Sequence, residues 1–198
     1  MEKLLIDTER LLLRYLKTTD LDNFFIYRSN PEVTKYQGFD VMTKLECEDF
    51  IAKQQDKSFG KLGEWIQYGI EDKNTKRLIG DFAIKLGPYD TRLAEIGMTI
   101  SHLHQRKGYA KEATNGILAW LFEHKNVHRV TEIVDAKNIA SIKLLHSAGF
   151  REEGYFIENI FFKGKWGSEY QFAMLKREWE IINEYHPSNH SEFHSDNH

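Results

Sequence analysis

The residues best placed to do chemistry in this chain form the run Gln105-Arg106-Lys107-Gly108-Tyr109-Ala110. The run follows a strand-like segment, residues 93–100, and opens a long amphipathic helix. A loop in that position aims several backbone N–H groups and the positive end of a helix dipole at one point, which suits the phosphates of a bound cofactor. Gly108 lets the backbone approach an oxygen closely, and Ala110 keeps the first helical turn uncrowded. Arg106 and Lys107 add positive charge at the rim. An ordinary basic strand-to-helix turn uses the same residue types, so the run gains weight only from its company. Past a second apolar strand at residues 130–134 stand Asn138 and Ser141, then Gly149-Phe150.

Taken together, Q-R-K-G-Y-A, V-D-A-K-N-I-A-S-I-K-L-L-H-S-A-G-F, the opening T-E-R-L-L-L-R and the late G-K-W resemble the GNAT superfamily of N-acetyltransferases. Within it the likeness is to the Rim-type protein N-terminal acetyltransferases, and it spans residues 8–179. The resemblance implies an α+β fold, with a mixed, mostly antiparallel twisted sheet of about seven strands flanked by helices. It implies transfer of an acetyl group from acetyl-CoA, as co-substrate and without a metal, to a primary amine, above all an α-amino group of a protein or peptide. The pyrophosphate would lie on the N–H groups from Arg106 to Ala110, with Gln105 beside them. The pantetheine arm would pair like an added strand with the backbone of Met98, Thr99 and Ile100, and an N–H near Met98 would polarise the thioester carbonyl. Asn138 would bond the same arm, although it equally suits a helix N-cap.

Acetyl transfer needs a neutral amine and a proton for the leaving thiolate. Many members of the superfamily carry a Tyr seven residues after the Asn for the second task, and here that position is Leu145. The nearest hydroxyl is Ser141, one turn earlier. Rim-type relatives are similar in offering a Ser as acid, while a small residue packed under the cofactor would read the same way. For the general base there are Glu95, Glu158 and Glu169, each of which could as readily be a surface carboxylate. Alternation puts Glu158 and Ile160 on one face, toward a cleft. Ser168 stands where Rim-type relatives often carry Asp. His102 and His104 precede the loop at the strand's exit, where a base could work near neutral pH. Other chemistries lack their motifs. No G-K-[ST] or G-x-G-x-x-G is present, no G-x-S-x-G surrounds Ser141, and Cys47 has no His partner.

Composition narrows the partners. The chain of 198 residues, with 41% hydrophobic residues, has the make-up of one ordinary globular domain. No apolar run approaches the roughly 20 residues that cross a bilayer, and residues 1–7 carry acidic side chains and too short an apolar stretch to be expected to act as a secretion signal. A lone cysteine fits a reducing compartment. A cytoplasmic protein, monomer or homodimer, with no membrane partner is expected. The 27 basic and 30 acidic side chains leave no concentrated basic face for nucleic acid.

The elements that must position these residues follow from periodicity. Residues 8–16 read as a first strand, with Leu11, Leu13 and Tyr15 on one face and Arg14 on the other. Thr19, with Asp22 after it, is the expected cap of a helix bearing Phe24, Phe25 and Tyr27, and Asn30-Pro31 should end that helix. The box Thr43-x-x-Glu46 starts another, bearing Cys47, Phe50 and Ile51. Residues 65–70 and 78–84 read as strands joined by a polar turn at 72–75. The turn at 87–90 leads to the strand before the loop. After the loop, Ala113, Ile117, Leu118, Leu121 and Phe122 recur at helical spacing. A shorter helix over 138–146 is closed by Gly149, and residues 150–162 and 170–175 read as two last strands. Residues 1–185 should form one domain. The polar tail, 186–198, carries four histidines at every fourth position. A metal-binding helix face and a disordered end are both compatible with it.

Two other readings share these residues. The acceptor could be a small amine such as a polyamine, an amino acid or an aminoglycoside, or the chain could be a CoA-binding interaction module without turnover.

Overall fold

The chain opens as a hairpin. In the computed structural model, which describes residues 4–185, β1 (Leu5–Asp7) pairs antiparallel with β2 (Leu11–Tyr15). The single strand expected from residue 8 therefore starts later, and the cause is local. The Leu11 N–H donates to the Thr8 hydroxyl at 3.1 Å, and the Thr8 N–H to the Leu11 carbonyl at 3.0 Å. Glu112 then accepts from the Thr8 hydroxyl at 2.6 Å and from the Arg10 N–H at 2.7 Å. These bonds hold residues 8–10 as a turn.

The other strands are β3 (Trp65–Asp72), β4 (Arg77–Leu86), β5 (Leu93–Ile100), β6 (Arg129–Asp135), β7 (Arg151–Phe162) and β8 (Lys165–Leu175). They form one eight-stranded sheet in the order β1-β2-β3-β4-β5-β6-β8-β7. Every pairing is antiparallel except β5 with β6. The count exceeds the expected seven by β1, too short to announce itself.

Helices cover both faces. On one, α4 (Tyr109–Ala119), continued as a wider π-helical turn over Trp120–His124, packs Ala113, Ile117 and Leu121 against Ile66, Tyr68, Phe82 and Ile84. α5 (Ile139–Ser147) adds Leu145 to that core. α6 (Lys176–Tyr185), unforeseen among its many charges, seats Trp179 and Ile182 there too. On the opposite face, α1 (Leu21–Arg28), α2 (Pro31–Thr34) and α3 (Lys44–Gln55) gather Phe24, Tyr27, Cys47 and Ile51 into a second core. Burial pushes the Cys47 thiol up to about 11, so it is not a nucleophile at neutral pH.

The caps divide. Thr43 and Glu46 form the reciprocal box, with the Thr43 N–H donating to Glu46 at 2.7 Å. Thr19 caps nothing, because it lies inside a 3-10 turn, Thr18–Asp20. Asp20 does the work instead. It accepts from the Lys17 N–H at 2.7 Å and takes the buried Arg14 guanidinium on both oxygens at 2.8 Å. Arg14 also donates to Glu71 at 2.7 Å, so its charge is paired although its side chain is buried. Asn30 and Pro31 end α1 and also start α2, where Asn30 accepts from the Glu32 N–H at 2.9 Å. No described helix is long and apolar enough to cross a membrane. The histidine-bearing tail lies outside the described residues.

Candidate active site

β5 and β6 part company midway. They pair only at Leu93 with Arg129, Ala94 with Val130 and Glu95 with Thr131. Beyond that point β5 keeps its ladder to β4 as far as Ile100, while β6 keeps its ladder to β8 as far as Asp135. Each strand stays with its outer neighbour, so a wedge opens between them with the backbone of residues 96–100 along one side. That is a sheet edge ready to pair with an extended guest. The Met98 carbonyl accepts from Gln37 Nε2 at 3.4 Å, from outside the ladder.

Because β5 and β6 run parallel, the helices that follow them both start at the wide end of the wedge. After β5, a 3-10 turn at His102–His104 leads into the loop. Gln105 Nε2 donates to the Ile100 carbonyl at 3.0 Å and ties the loop to the strand end. Arg106 (φ 61°) and Gly108 (φ 82°) are both left-handed, an alternation that turns successive N–H groups to one side. Among the described residues no group accepts from the N–H groups of residues 106–110. The loop is braced from the β1–β2 turn. Arg10 Nη1 donates to the Lys107 carbonyl at 2.9 Å, and the guanidinium lies 4.6 Å from the Tyr109 ring centre. Glu112 holds Arg10 in turn through Nε at 2.6 Å. Burial works to raise the Glu112 carboxyl, but the bonds from Thr8 and Arg10 outweigh it and hold it below its ordinary value. The result is a rigid anion cradle with Arg106 and Lys107 exposed at its rim, which fits a pyrophosphate. His104 lies in the 3-10 turn before the loop. Burial, then Lys107, pushes its imidazole below the ordinary range, and its Nδ1 is buried without a partner.

After β6, Asn138 caps α5 and accepts from the Ser141 N–H at 3.2 Å. The cap reading of Asn138 holds, with its amide nitrogen left free of partners among the described residues. Ser141 is half-buried, and its hydroxyl has no partner among the described residues. Leu145, where a Tyr is commoner, is fully buried.

On the α1–α3 face the wedge meets a cleft of about 1300 Å³. Its floor includes Gln67, Ala83, Glu95 and Gly97; one wall is residues 34–41, and the other is the β7–β8 hairpin. Glu95 pairs with Lys85 at 2.6 Å. Glu158 reaches the cleft along with Ile160, but not through strand alternation. It is left-handed (φ 47°) inside a break in the β7–β8 register between Phe156 and Ile160, and its N–H donates to Ser168 Oγ at 2.9 Å. Glu169, also at the cleft, accepts from Asn159 at 2.6 Å. At the hairpin tip Lys163 and Gly164 are both left-handed, the mark of a type I′ turn. Lys163 Nζ spans the cleft to the Thr34 carbonyl at 2.6 Å.

Beneath the cleft lies a set of contacts that no sequence pattern announced. Asp81 is fully buried and takes Arg28 through Nη2 at 2.6 Å, the Tyr27 hydroxyl at 2.7 Å, and Gln67. Arg28 in turn lies 3.9 Å from the centre of the Phe39 ring, and its carbonyl accepts from the Met42 N–H at 3.0 Å. The loop that carries Gln37 to the β5 edge is thus anchored to the sheet. Among the described residues no group of three or more His, Cys, Asp or Glu is placed to hold a metal ion.

Residues 10–151 match the family model for the acetyltransferase (GNAT) domain, and the chain belongs to that family of N-acetyltransferases. It is 34% identical over 173 residues to an uncharacterized N-acetyltransferase, p20, of Bacillus licheniformis, covering 87% of this chain and 96% of that protein. The structure of spermidine N-acetyltransferase from Vibrio cholerae, in complex with CoA and spermine, superposes with a TM-score of 0.74 at 26% identity, covering 86% of this chain and 98% of the other. A putative ribosomal-protein-serine acetyltransferase from Vibrio cholerae superposes with a TM-score of 0.73 at 25% identity, covering 87% and 97%. This chain is therefore an N-acetyltransferase, and the reading as a module without turnover falls away.

Proposed function

We propose that this enzyme transfers the acetyl group of acetyl-CoA to the α-amino group of a protein or peptide, in the manner of the Rim-type enzymes. The cradle from Gln105 to Ala110 holds the pyrophosphate, the free β5 edge at Met98, Thr99 and Ile100 takes the pantetheine arm, and Asn138 bonds it from α5. Bound there, acetyl-CoA supplies the activated acyl group. Glu95 and Glu158 lie on the acceptor side, where they accept or relay the proton that the amine sheds.

The observation that carries the choice of acceptor is the cleft itself. At about 1300 Å³ it exceeds the usual small-molecule pocket. Its walls bring Asp40, Glu95, Asp135, Glu158 and Glu169 against Lys35, Lys137, Lys163 and Lys165. Five carboxylates against four lysines leave the lining close to neutral rather than strongly acidic, which suits a peptide segment of mixed character better than a polycation. Protonation favours the same acceptor. Only a neutral amine attacks a thioester, and an α-amino group titrates near 7.7–8.0 against about 10.4 for lysine. That gap amounts to roughly 3.4 kcal/mol which a base would otherwise have to supply. The likeness to the ribosomal-protein-serine enzyme supports this reading. The likeness to the spermidine enzyme supports a polyamine acceptor instead.

Two matched peptides separate the cases, one with a free N-terminus and blocked lysine, the other reversed. The peptide with the free N-terminus should release CoA thiol at least about tenfold faster. Faster transfer to the lysine peptide overturns the proposal, and transfer to spermidine alone moves the enzyme to the polyamine class.

A further inference from the structure

With Leu145 in place of a Tyr, the nearest hydroxyl to the leaving thiolate is Ser141, and the wedge itself carries a second, stronger proton source. Glu132 is the first β6 residue past the last β5–β6 pair. Its neighbours in alternation, Val130 and Val134, are buried in the core under α4 and α5, whereas Ile133 and Asp135 line the acceptor cleft. Glu132 therefore lies on the helix side of the sheet, the side on which the cradle and α5 stand. It is half-buried, and among the described residues no hydrogen bond or ion pair holds its carboxyl. Across the ladder is Phe172, whose ring meets His146 of α5 edge-on at 5.1 Å. The geometry points to Glu132 as the catalytic acid that protonates the departing thiolate.

Its surroundings suit that task. Burial pushes its carboxyl up to about 8, and the charge of Glu95 pushes the same way. The titratable groups around it are Glu95 on β5, Tyr170 beside Phe172 on β8, and His146 on α5; of these Glu95 is the charge that acts on it. Glu132 is thus protonated at neutral pH, while Glu95, one residue before the parting on the other strand, is ion-paired to Lys85 on the acceptor face. Glu132 on the helix side of the sheet and the ion-paired Glu95 on the acceptor side are set apart by environment, as an acid and a base require. An acid near 8 is also closely matched to a thiol near 8.5. In the transfer the C–N bond forms and the C–S bond breaks, with its electron pair going to sulfur. The Glu132 proton completes the thiol, the amine's surplus proton leaves on the acceptor side, and Glu132 is reprotonated from solvent.

This assignment rests on the acetyl-CoA site proposed above, and the test separates the two. Glu132→Gln should bind acetyl-CoA within about twofold of wild type by calorimetry, yet lose about ten- to a hundredfold in kcat. A donor must be protonated, so wild-type kcat should fall as pH rises past about 8, and the Gln variant should lack that falling limb. A readout independent of turnover is carbon-13 NMR of carboxyl-labelled protein without ligand. One glutamate should titrate near 8 and vanish in the variant. Because the native carboxyl holds a proton between about 4.5 and 8 and the unfolded one does not, its stabilising effect is lost as pH rises across that window. The melting temperature of Glu132→Gln should accordingly gain on wild type from pH 5 to pH 9. An unchanged kcat and pH profile in Glu132→Gln overturns the assignment. So does transfer of the falling limb's dependence to Ser141→Ala. A wild-type protein that does not bind acetyl-CoA overturns the site and the donor together.

Discussion

Gly108→Val is expected to weaken acetyl-CoA binding by about ten- to a hundredfold, roughly 1.5–3 kcal/mol, in a protein that still folds. The position is left-handed at φ 82°, where a β-branched residue is strained, so the loop must re-form in another shape. Space is short as well. A Cβ there would stand 3.3 Å from Arg10 Nη2, on the guanidinium that braces the Lys107 carbonyl. Both effects spoil the alignment of the N–H groups that a pyrophosphate needs, and charge-assisted bonds are sensitive to alignment. The global fold should survive, since the loop is exposed and the α4 core begins a turn later. Calorimetry with acetyl-CoA, beside a melting curve, reads both quantities. Unchanged affinity in a folded variant removes this loop from the cofactor site.

Asp81→Ala should cost about 3–5 kcal/mol of stability, the largest loss expected from any single truncation beneath the cleft. Arg28 would keep its charge in a site 2% exposed with no carboxylate to meet it, and the Tyr27 hydroxyl would lose its acceptor. The damage should spread to function, because Arg28 also anchors the loop carrying Gln37 through Phe39 and Met42. Denaturant unfolding measures the first effect, and the acceptor KM at saturating acetyl-CoA measures the second. Asp81→Asn keeps one acceptor oxygen of the two and should lose less. A loss below about 1 kcal/mol in Asp81→Ala would show that Arg28 finds another partner or reaches water.

What the sequence could reveal follows from how local each feature is. The cradle was legible because its glycine, its basic rim and the helix it opens are contiguous. Asn138 and Gly149 were legible for the same reason, as start and stop of one short helix. Thr19 misled because the choice of cap was settled by Arg14, a strand away, which holds Asp20 in a buried pair. α6 was hidden by Lys176, Arg177, Glu178 and Glu180, although Trp179 and Ile182 between them carry its apolar face. Glu158 was placed at the cleft by strand alternation and arrives there through a break in register. Glu132 could not be singled out at all. Its character comes from the parting of two strands joined in space and distant in sequence, and from a neighbour, Glu95, on the other strand.

Amide hydrogen exchange with and without acetyl-CoA tests directly the proposal that the wedge and the cradle form one acetyl-CoA site. Protection should appear in two separate stretches, residues 96–100 on the β5 edge and 106–110 in the loop. Alternate amides of the strand edge, with Met98 among them, and those of the helix start face a guest that can accept from them. The distal β1–β2 ladder should exchange as before. Protection confined to other segments, or none at saturating acetyl-CoA, would contradict the site.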